Sequence, residues 1–252
     1  MKKNNYVDYN AFIFENWKEE YDFCWMKPIT HADFLKVKDG ENLLTVTPNK
    51  KVPFEWYKNC KNKKVLGLAA GGGQQMPIFA ALGANCTLID ASKSQIENDL
   101  SISIRENYDI NLINGDISQR LPFDDESFDI VINPISNHYI ENIYPMFKEI
   151  YRVLKHGGLF ILGFETEIFW TVNLDTNKLE KKLPINPLKN KELYKKVKKS
   201  KNAFQFSHTT TEQIGGQLNV GFRLIDIYDD IEDGIFSELN IPTFMATLSI
   251  KD

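Results

Sequence analysis

Three groups of residues in this 252-residue chain have types and spacing that could do chemistry. The first is Val65-Leu66-Gly67-Leu68-Ala69-Ala70-Gly71-Gly72-Gly73, an apolar run that ends in small residues and opens into a helical stretch. Such a turn lets backbone approach a ligand closely, and a helix N-terminus beside it favours an anionic group. The second is Asp90, 21 residues beyond Ala69 at the end of the next apolar run. A carboxylate there can accept hydrogen bonds from both hydroxyls of a ribose, or it can cap the helix that follows. The third is Asn133-Pro134-Ile135-Ser136-Asn137-His138-Tyr139. An imidazole ordinarily changes charge near neutrality, so His138, with the Tyr139 hydroxyl beside it, could take a proton from an attacking group. It could equally cap a helix or orient the loop.

Several chemistries are disfavoured by what is missing. A pyrophosphate-binding GxGxxG would place its third glycine at Met76, which is too bulky for close helix–strand packing, and no Tyr-x-x-x-Lys pair supports a nicotinamide enzyme. The register Ala69-x-Gly71-x-Gly73 instead suits a ligand lying along the loop. Asn133-Pro134 continues with Ile135-Ser136, not with the proline and aromatic residue of enzymes that methylate exocyclic amines or amides, so a DNA, RNA or glutamine-amide target loses its best support. Cys24, Cys60 and Cys86 form neither a disulfide framework nor a CxxC pair, and His31 and His208 have no partners at ligand spacing, so no metal is expected.

Positioning these groups requires a particular set of elements. Short strands are expected at Val65–Ala69, Asn85–Asp90, Ile110–Ile113, Ile130–Asn133 and Leu159–Phe164. Between them, helices are expected at Gln74–Leu82, at Ser92–Asn107 with Ser92 as cap, and at Ile143–Leu154 with its end at Gly157-Gly158. A helix near Thr211–Leu218 and strands near Arg223–Tyr228 and Thr243–Ile250 follow. The alternation predicts an α/β fold: a Rossmann-like, doubly wound, mostly parallel sheet with helices on both faces.

Residues 1–60, with Phe12, Phe14, Trp17, Tyr21, Phe23 and Trp25, read as an aromatic, helical cap of the same domain. The unit at 61–252 is interrupted by an insertion at about 165–205. From Lys178 to Lys201 this insertion holds ten lysines against two glutamates, and it reads as a solvated face against which the six acids of Asp226–Glu238 could dock. The 34 acids against 30 bases give a net charge of −4, which disfavours nucleic-acid binding through bulk charge. No apolar run reaches the roughly 18 residues of a membrane helix, so a cytoplasmic location is expected, as a monomer or a homodimer.

The residues also carry a family likeness. Val65 through Asp90-Ala91-Ser92, then Asn114-Gly115-Asp116-Ile117, then Leu121 through Val131, and finally Phe147 through Gly158 resemble the class I S-adenosylmethionine-dependent methyltransferases, over about residues 61–165. Ala70-Gly71-Gly72-Gly73-Gln74-Gln75, Phe206-Ser207-His208-Thr209, Gln213 to Gln217 and Ile241 to Phe244 are similar to a bacterial subgroup of unassigned acceptor, as is the stretch from Trp25 to His31. The resemblance implies S-adenosylmethionine as cofactor, S-adenosylhomocysteine as product, and a small-molecule acceptor methylated by direct displacement. It implies Ala69, Gly71 and Gly73, with Gln75 beside them, under the methionine part of the cofactor. Asp90 would take the ribose, Ala91 would lie against the adenine, Asp116 would accept from the adenine amino group, and Ile117 would give a backbone donor or an apolar edge. Gly67 stands where many members carry Asp or Glu, and carbonyls near Asn133 are the substitute expected for the cofactor's ammonium group. His138 and Tyr139 are the candidate catalytic residues. A module that binds the cofactor without turnover and, with less support, a nicotinamide-dependent oxidoreductase are the competing readings.

Overall fold

The computed structural model describes residues 6–15, 27–173 and 176–252. Its strands are β1 (Lys64–Leu68), β2 (Asn85–Asp90), β3 (Ile110–Asn114), β4 (Phe128–Pro134), β5 (Leu154–Glu165), β6 (Val172–Asn173), β7 (Lys178–Leu179), β8 (Phe222–Asp230) and β9 (Phe244–Lys251). Strands β6 and β7 form a small ribbon of their own; the other seven form one sheet in the order β3-β2-β1-β4-β5-β9-β8. Only β9 is reversed, running antiparallel to both β5 and β8. The helices are α1 (Tyr6–Glu15), α2 (His31–Lys38), α3 (Gln75–Ala81), α4 (Lys93–Glu106), α5 (Tyr144–Val153), α6 (Glu167–Thr171), α7 (Lys191–Ser200), α8 (Gly216–Val220) and α9 (Ile235–Glu238).

Side chains alternate across the strands and divide the core into two layers, as period-two geometry requires. Val65, Leu88, Ile130, Ile132 and Ile161 point to one face, where Phe79 of α3 and Ile102 of α4 cover them. Leu66, Ile89, Val131, Phe160 and Leu162 point to the other, against Phe147 and Ile150 of α5. Each such fully buried side chain contributes roughly 1.5–3 kcal/mol. The first layer also takes in Phe34, Val37, Leu44, Val46, Val52, Trp56 and Tyr57, so the segment from Phe34 to Tyr57 is part of the same core. At Gly163 a Cβ would stand 1.9 Å from the Val46 carbonyl oxygen, so backbone of the early segment lies directly on β5.

Ser92 caps α4 as expected, its hydroxyl accepting from the Gln95 amide, and the helix ends on left-handed Asn107. The expected end of α5 at Gly157-Gly158 is corrected. The helix stops at Val153, Leu154 is already extended, and both glycines lie within β5. There the β4–β5 register shifts between Phe128 and Ile130, and Gly157 takes a positive φ of 73°. The glycines serve this irregular strand entry, not a helix cap.

The docking of the lysine insertion on the late acids is also corrected. Asp229 pairs with Lys50, Asp230 accepts the Asn49 and Lys50 amides, and Asp226 accepts from the Trp56 indole. Within the insertion, Lys198 lies over the Tyr9 ring, and Lys189 is 3.9 Å from Glu141. Of the expected aromatic cap, Trp17, Tyr21, Phe23 and Trp25 fall outside the described residues, as does Cys24. Cys60 and Cys86 are free and buried.

Candidate functional site

Parallel strands bring Leu68, Asp90, Asn133 and Glu165 to the same edge of the sheet, where β1 and β4 lie adjacent and the chain's winding reverses. Such a switch point is where open α/β sheets bind ligands. The glycine turn sits over it. Ala69 has a φ of 43°, and its amide donates to the Ile89 carbonyl. The Gly71 amide donates to Asp90 Oδ2 at 3.1 Å, and Asp90 Oδ1 accepts the Ser92 amide at 2.9 Å. Asp90 therefore does serve the start of α4, yet each oxygen keeps a second lone pair. Burial pushes its carboxyl up to about 6, partly offset by these amides.

The Gly72 and Gly73 amides both donate to Asp99 Oδ2 at 2.9 Å, from a side chain with no solvent exposure. Burial pushes Asp99 up to about 7. Sequence reasoning missed this residue, although a signal was present: Ile96, Asp99 and Ile102 follow helical spacing, which puts an acid on the stripe of α4 that faces the core.

The remaining expected cofactor residues divide. Asp116 is half-buried with Oδ1 accepting the Ser118 amide, Ile117 is buried beside it, and Ala91 is half-buried, its carbonyl accepting from Asn114. Asn133 is fully buried. Its Nδ2 donates to the Leu68 carbonyl and to Ser136 Oγ, both at 2.7 Å, while its Oδ1 has no partner among the described residues. Gln75 is turned towards the Thr45 carbonyl at 3.3 Å, towards the early segment.

Past β4, Ile135 takes a left-handed φ of 57° and a 3₁₀ turn spans Ser136–Tyr139. His138 is buried, with its Nδ1 2.5 Å from Glu165 Oε1 at the end of β5. That approach lies outside hydrogen-bond alignment, and neither ring nitrogen makes an aligned bond among the described residues. Its ring packs 3.9 Å from Tyr139 and 5.9 Å from Trp170, centre to centre. Burial raises the Tyr139 hydroxyl far above its usual range, which holds it in the neutral, hydrogen-bonding form. Glu165 was also missed in the sequence; an acid closing the apolar run Leu159–Phe164 was its signal.

A roof covers this edge. Asn10 of α1 exchanges two hydrogen bonds with the Phe204 backbone, Tyr6 packs on Phe206, and Phe14 packs on Tyr139. The Ile29 amide donates to the Gly73 carbonyl, tying the approach to α2 onto the turn. His208 does not offer a free ring: its Nε2 donates to the Ile140 carbonyl at 2.8 Å. His31 lies on the outside, paired with Glu106. Among the described residues, no group of three or more His, Cys, Asp or Glu side chains could hold a metal. A groove of about 220 Å³ lined by Trp56, Asp129 and Lys155 lies at the opposite end of the strands, away from these groups.

Residues 66–162 match a family model described as a methyltransferase domain. The uncharacterized methyltransferase YbaJ of Bacillus subtilis is 34% identical over 254 residues, covering 96% of this chain and 99% of YbaJ. The chain belongs to the class I S-adenosylmethionine-dependent methyltransferases. The methyltransferase also resembles, at 33% identity, the sterol 4-C-methyltransferase strm-1 of Caenorhabditis elegans, over 58% of this chain and 52% of that protein. In fold it matches the crystal structure of a putative S-adenosylmethionine-dependent methyltransferase from Listeria monocytogenes, with a TM-score of 0.60 at 18% identity, covering 79% of this chain and 96% of that one. The cofactor of the methyltransferase is therefore S-adenosylmethionine. Among the described residues no helix is long and apolar enough to cross a membrane.

Proposed function

We propose that this methyltransferase acts on a small molecule whose attacking hydroxyl or amine loses its proton to His138, with the cofactor lying along Ala69–Gly73. The observation that carries this reading is the buried His138–Glu165 contact beneath the roof, at the edge that holds the glycine turn. The residues fit the cofactor chemically. Its ribose and ammonium groups are donors, and what the site leaves unspent are acceptors: the second lone pairs of Asp90 and the orphaned Asn133 Oδ1. When bound, the cofactor supplies a methyl group on a sulfonium, open to in-line displacement.

This chain's residues position and exclude. Gly71 keeps the turn free of a side chain, Asp90 anchors the ribose, and Ala91, Asp116 and Ile117 line the adenine end. The roof of α1 and residues 204–206 keeps water out, and an acceptor beneath it is held in line, which removes much of the entropic part of the barrier. An enclosed edge of this kind suits a small acceptor over a macromolecule, and the sterol acceptor in the name of strm-1 accords with that. The test is release of S-adenosylhomocysteine from S-adenosylmethionine in the presence of fractionated small-molecule extract. No release with any fraction, or release only with nucleic acid or protein present, counts against the proposal.

Two results are expected at Asp90. Asp90→Ala removes two charge-assisted hydrogen bonds to the ribose, each worth roughly 1.5–3 kcal/mol, so S-adenosylmethionine affinity falls at least about tenfold by calorimetry while the fold persists. Unchanged affinity would reject the ribose assignment. The second concerns pH. A carboxyl held at about 6 must ionise to accept both hydroxyls, so affinity weakens about tenfold between pH 7 and pH 5. The stability of the free protein moves the other way. Asp90 and Asp99 both lie above the unfolded value of 3.8, so the folded state holds more protons than the unfolded one between about pH 4 and 7. Their contribution is therefore lost as pH rises through that window. Calorimetric titrations at the two pH values check the first sign, and Asp90→Asn should flatten the dependence.

A further inference from the structure

The departure at Gly67 has a steric cause. A Cβ on Gly67 would lie 2.5 Å from the sulfur of Met76, a fully buried residue of α3. The chain therefore has no room for an acid at this point of β1, although the turn beyond it still presents three successive amides that need acceptors.

Those amides are met from the neighbouring strand end and helix. Asp90 takes Gly71, and Asp99 Oδ2 takes both Gly72 and Gly73, with the Gln95 carbonyl also 3.1 Å from the Gly72 amide. Gly72 and Gly73 have φ values of 112° and 79°, a conformation that turns consecutive amides to one side and that only glycine adopts easily. The close fit of α4 is part of the same arrangement, since a Cβ on Gly73 would stand 2.1 Å from Ile102 Cδ1. Ile102 and Asp99 are one helical turn apart, so α4 contacts the turn through both an apolar and a charged group. Two amide bonds converge on one oxygen of this acid, whose side chain has no solvent exposure.

We propose that Asp99 is a positioning residue for the cofactor: its carboxylate fixes the Gly72–Gly73 backbone from behind and shapes the turn before the cofactor arrives. The inference rests on the reading of Ala69–Gly73 as the cofactor cradle. It predicts that affinity depends on an acceptor at position 99 that never touches the ligand, because an unshaped loop must be ordered at the moment of binding.

The experiment is calorimetry with S-adenosylhomocysteine on the full chain and two main variants, each checked for a cooperative melt. Asp99→Asn keeps one carbonyl oxygen for both amides, and its affinity should stay within about threefold of the unsubstituted protein. Asp99→Leu keeps the branched shape, though it is bulkier, and has no acceptor, and its affinity should fall at least about tenfold. Recovery in Asn of what Leu loses is the signature of positioning. A folded Asp99→Leu that binds within threefold overturns the proposal, as does an Asp99→Asn as weak as Leu. Should Leu fail to fold, Asp99→Ser, too short to reach both amides, replaces it in the comparison. Failure of both to fold also overturns the proposal, because Asp99 would then be a folding residue. If the unsubstituted protein binds no S-adenosylhomocysteine, the cradle itself fails, and that result is visible before any substitution is made.

Discussion

Gly71→Val is expected to fold and to lose S-adenosylhomocysteine binding. A Cβ at position 71 would lie 2.8 Å from Asp90 Oδ2 and 2.8 Å from Gln95 Cβ, closer than such atoms approach. Valine adds two methyl groups that cannot rotate away, because β-branching leaves few rotamers. The carboxylate that accepts the Gly71 amide must move, and the space beside it is filled. Gly71 does not have the positive φ of Gly72 and Gly73, so its backbone tolerates a side chain and the damage is confined to the site. Stabilisation by S-adenosylhomocysteine in a thermal-shift assay should disappear while the melt stays cooperative. Stabilisation that survived would mean the cofactor lies elsewhere.

His138→Gln is expected to lower turnover at least about 10²-fold while cofactor affinity stays within about threefold, in line with the loss of a general base. The ring is enclosed by Tyr139, Trp170 and Glu165, and its nitrogens make no aligned hydrogen bond among the described residues. A packing histidine would be satisfied by its neighbours, as His208 is by Ile140. Glutamine keeps hydrogen-bonding capacity and cannot titrate near neutrality, so it separates the two roles. The measurement is the rate of S-adenosylhomocysteine release once an acceptor fraction is in hand. Preserved turnover would make His138 structural and leave proton removal to the acceptor's own acidity.

The sheet was legible because its signals are local. Val65 to Leu68, Leu88 to Asp90 and Leu159 to Phe164 are apolar runs bounded by turn residues, and each lies within a strand of the sheet. The turn at Gly71–Gly73 and the Ser92 cap were legible for the same reason. Gly157-Gly158 misled because glycine marks both helix ends and irregular strands, and only the pairing with β4 tells which. Asp99 and Glu165 escaped because a place on a buried stripe, or at the end of an apolar run, marks an acid as unusual without showing what it binds. Their meaning comes from partners far along the chain: Gly72 and Gly73 for the first, His138 for the second. The late acids were assigned to the wrong partner because opposite charge alone does not choose between the lysine insertion and Lys50.

The contact of Val46 with Gly163 bears on how this chain could be recombined. A boundary near residue 60 invites a cut there, with the strand–helix unit grafted onto another leader or expressed alone. The carbonyl of Val46 occupies the volume that any side chain at 163 would need, and Leu44, Val52, Trp56 and Tyr57 cover the face around it. A graft cut at 60 would leave this face bare, and a foreign leader would have to lay its own backbone flat on β5 at the same height. Residues 44–57 and the sheet therefore pack as one body, and a cut at 60 would separate the two faces of a single core.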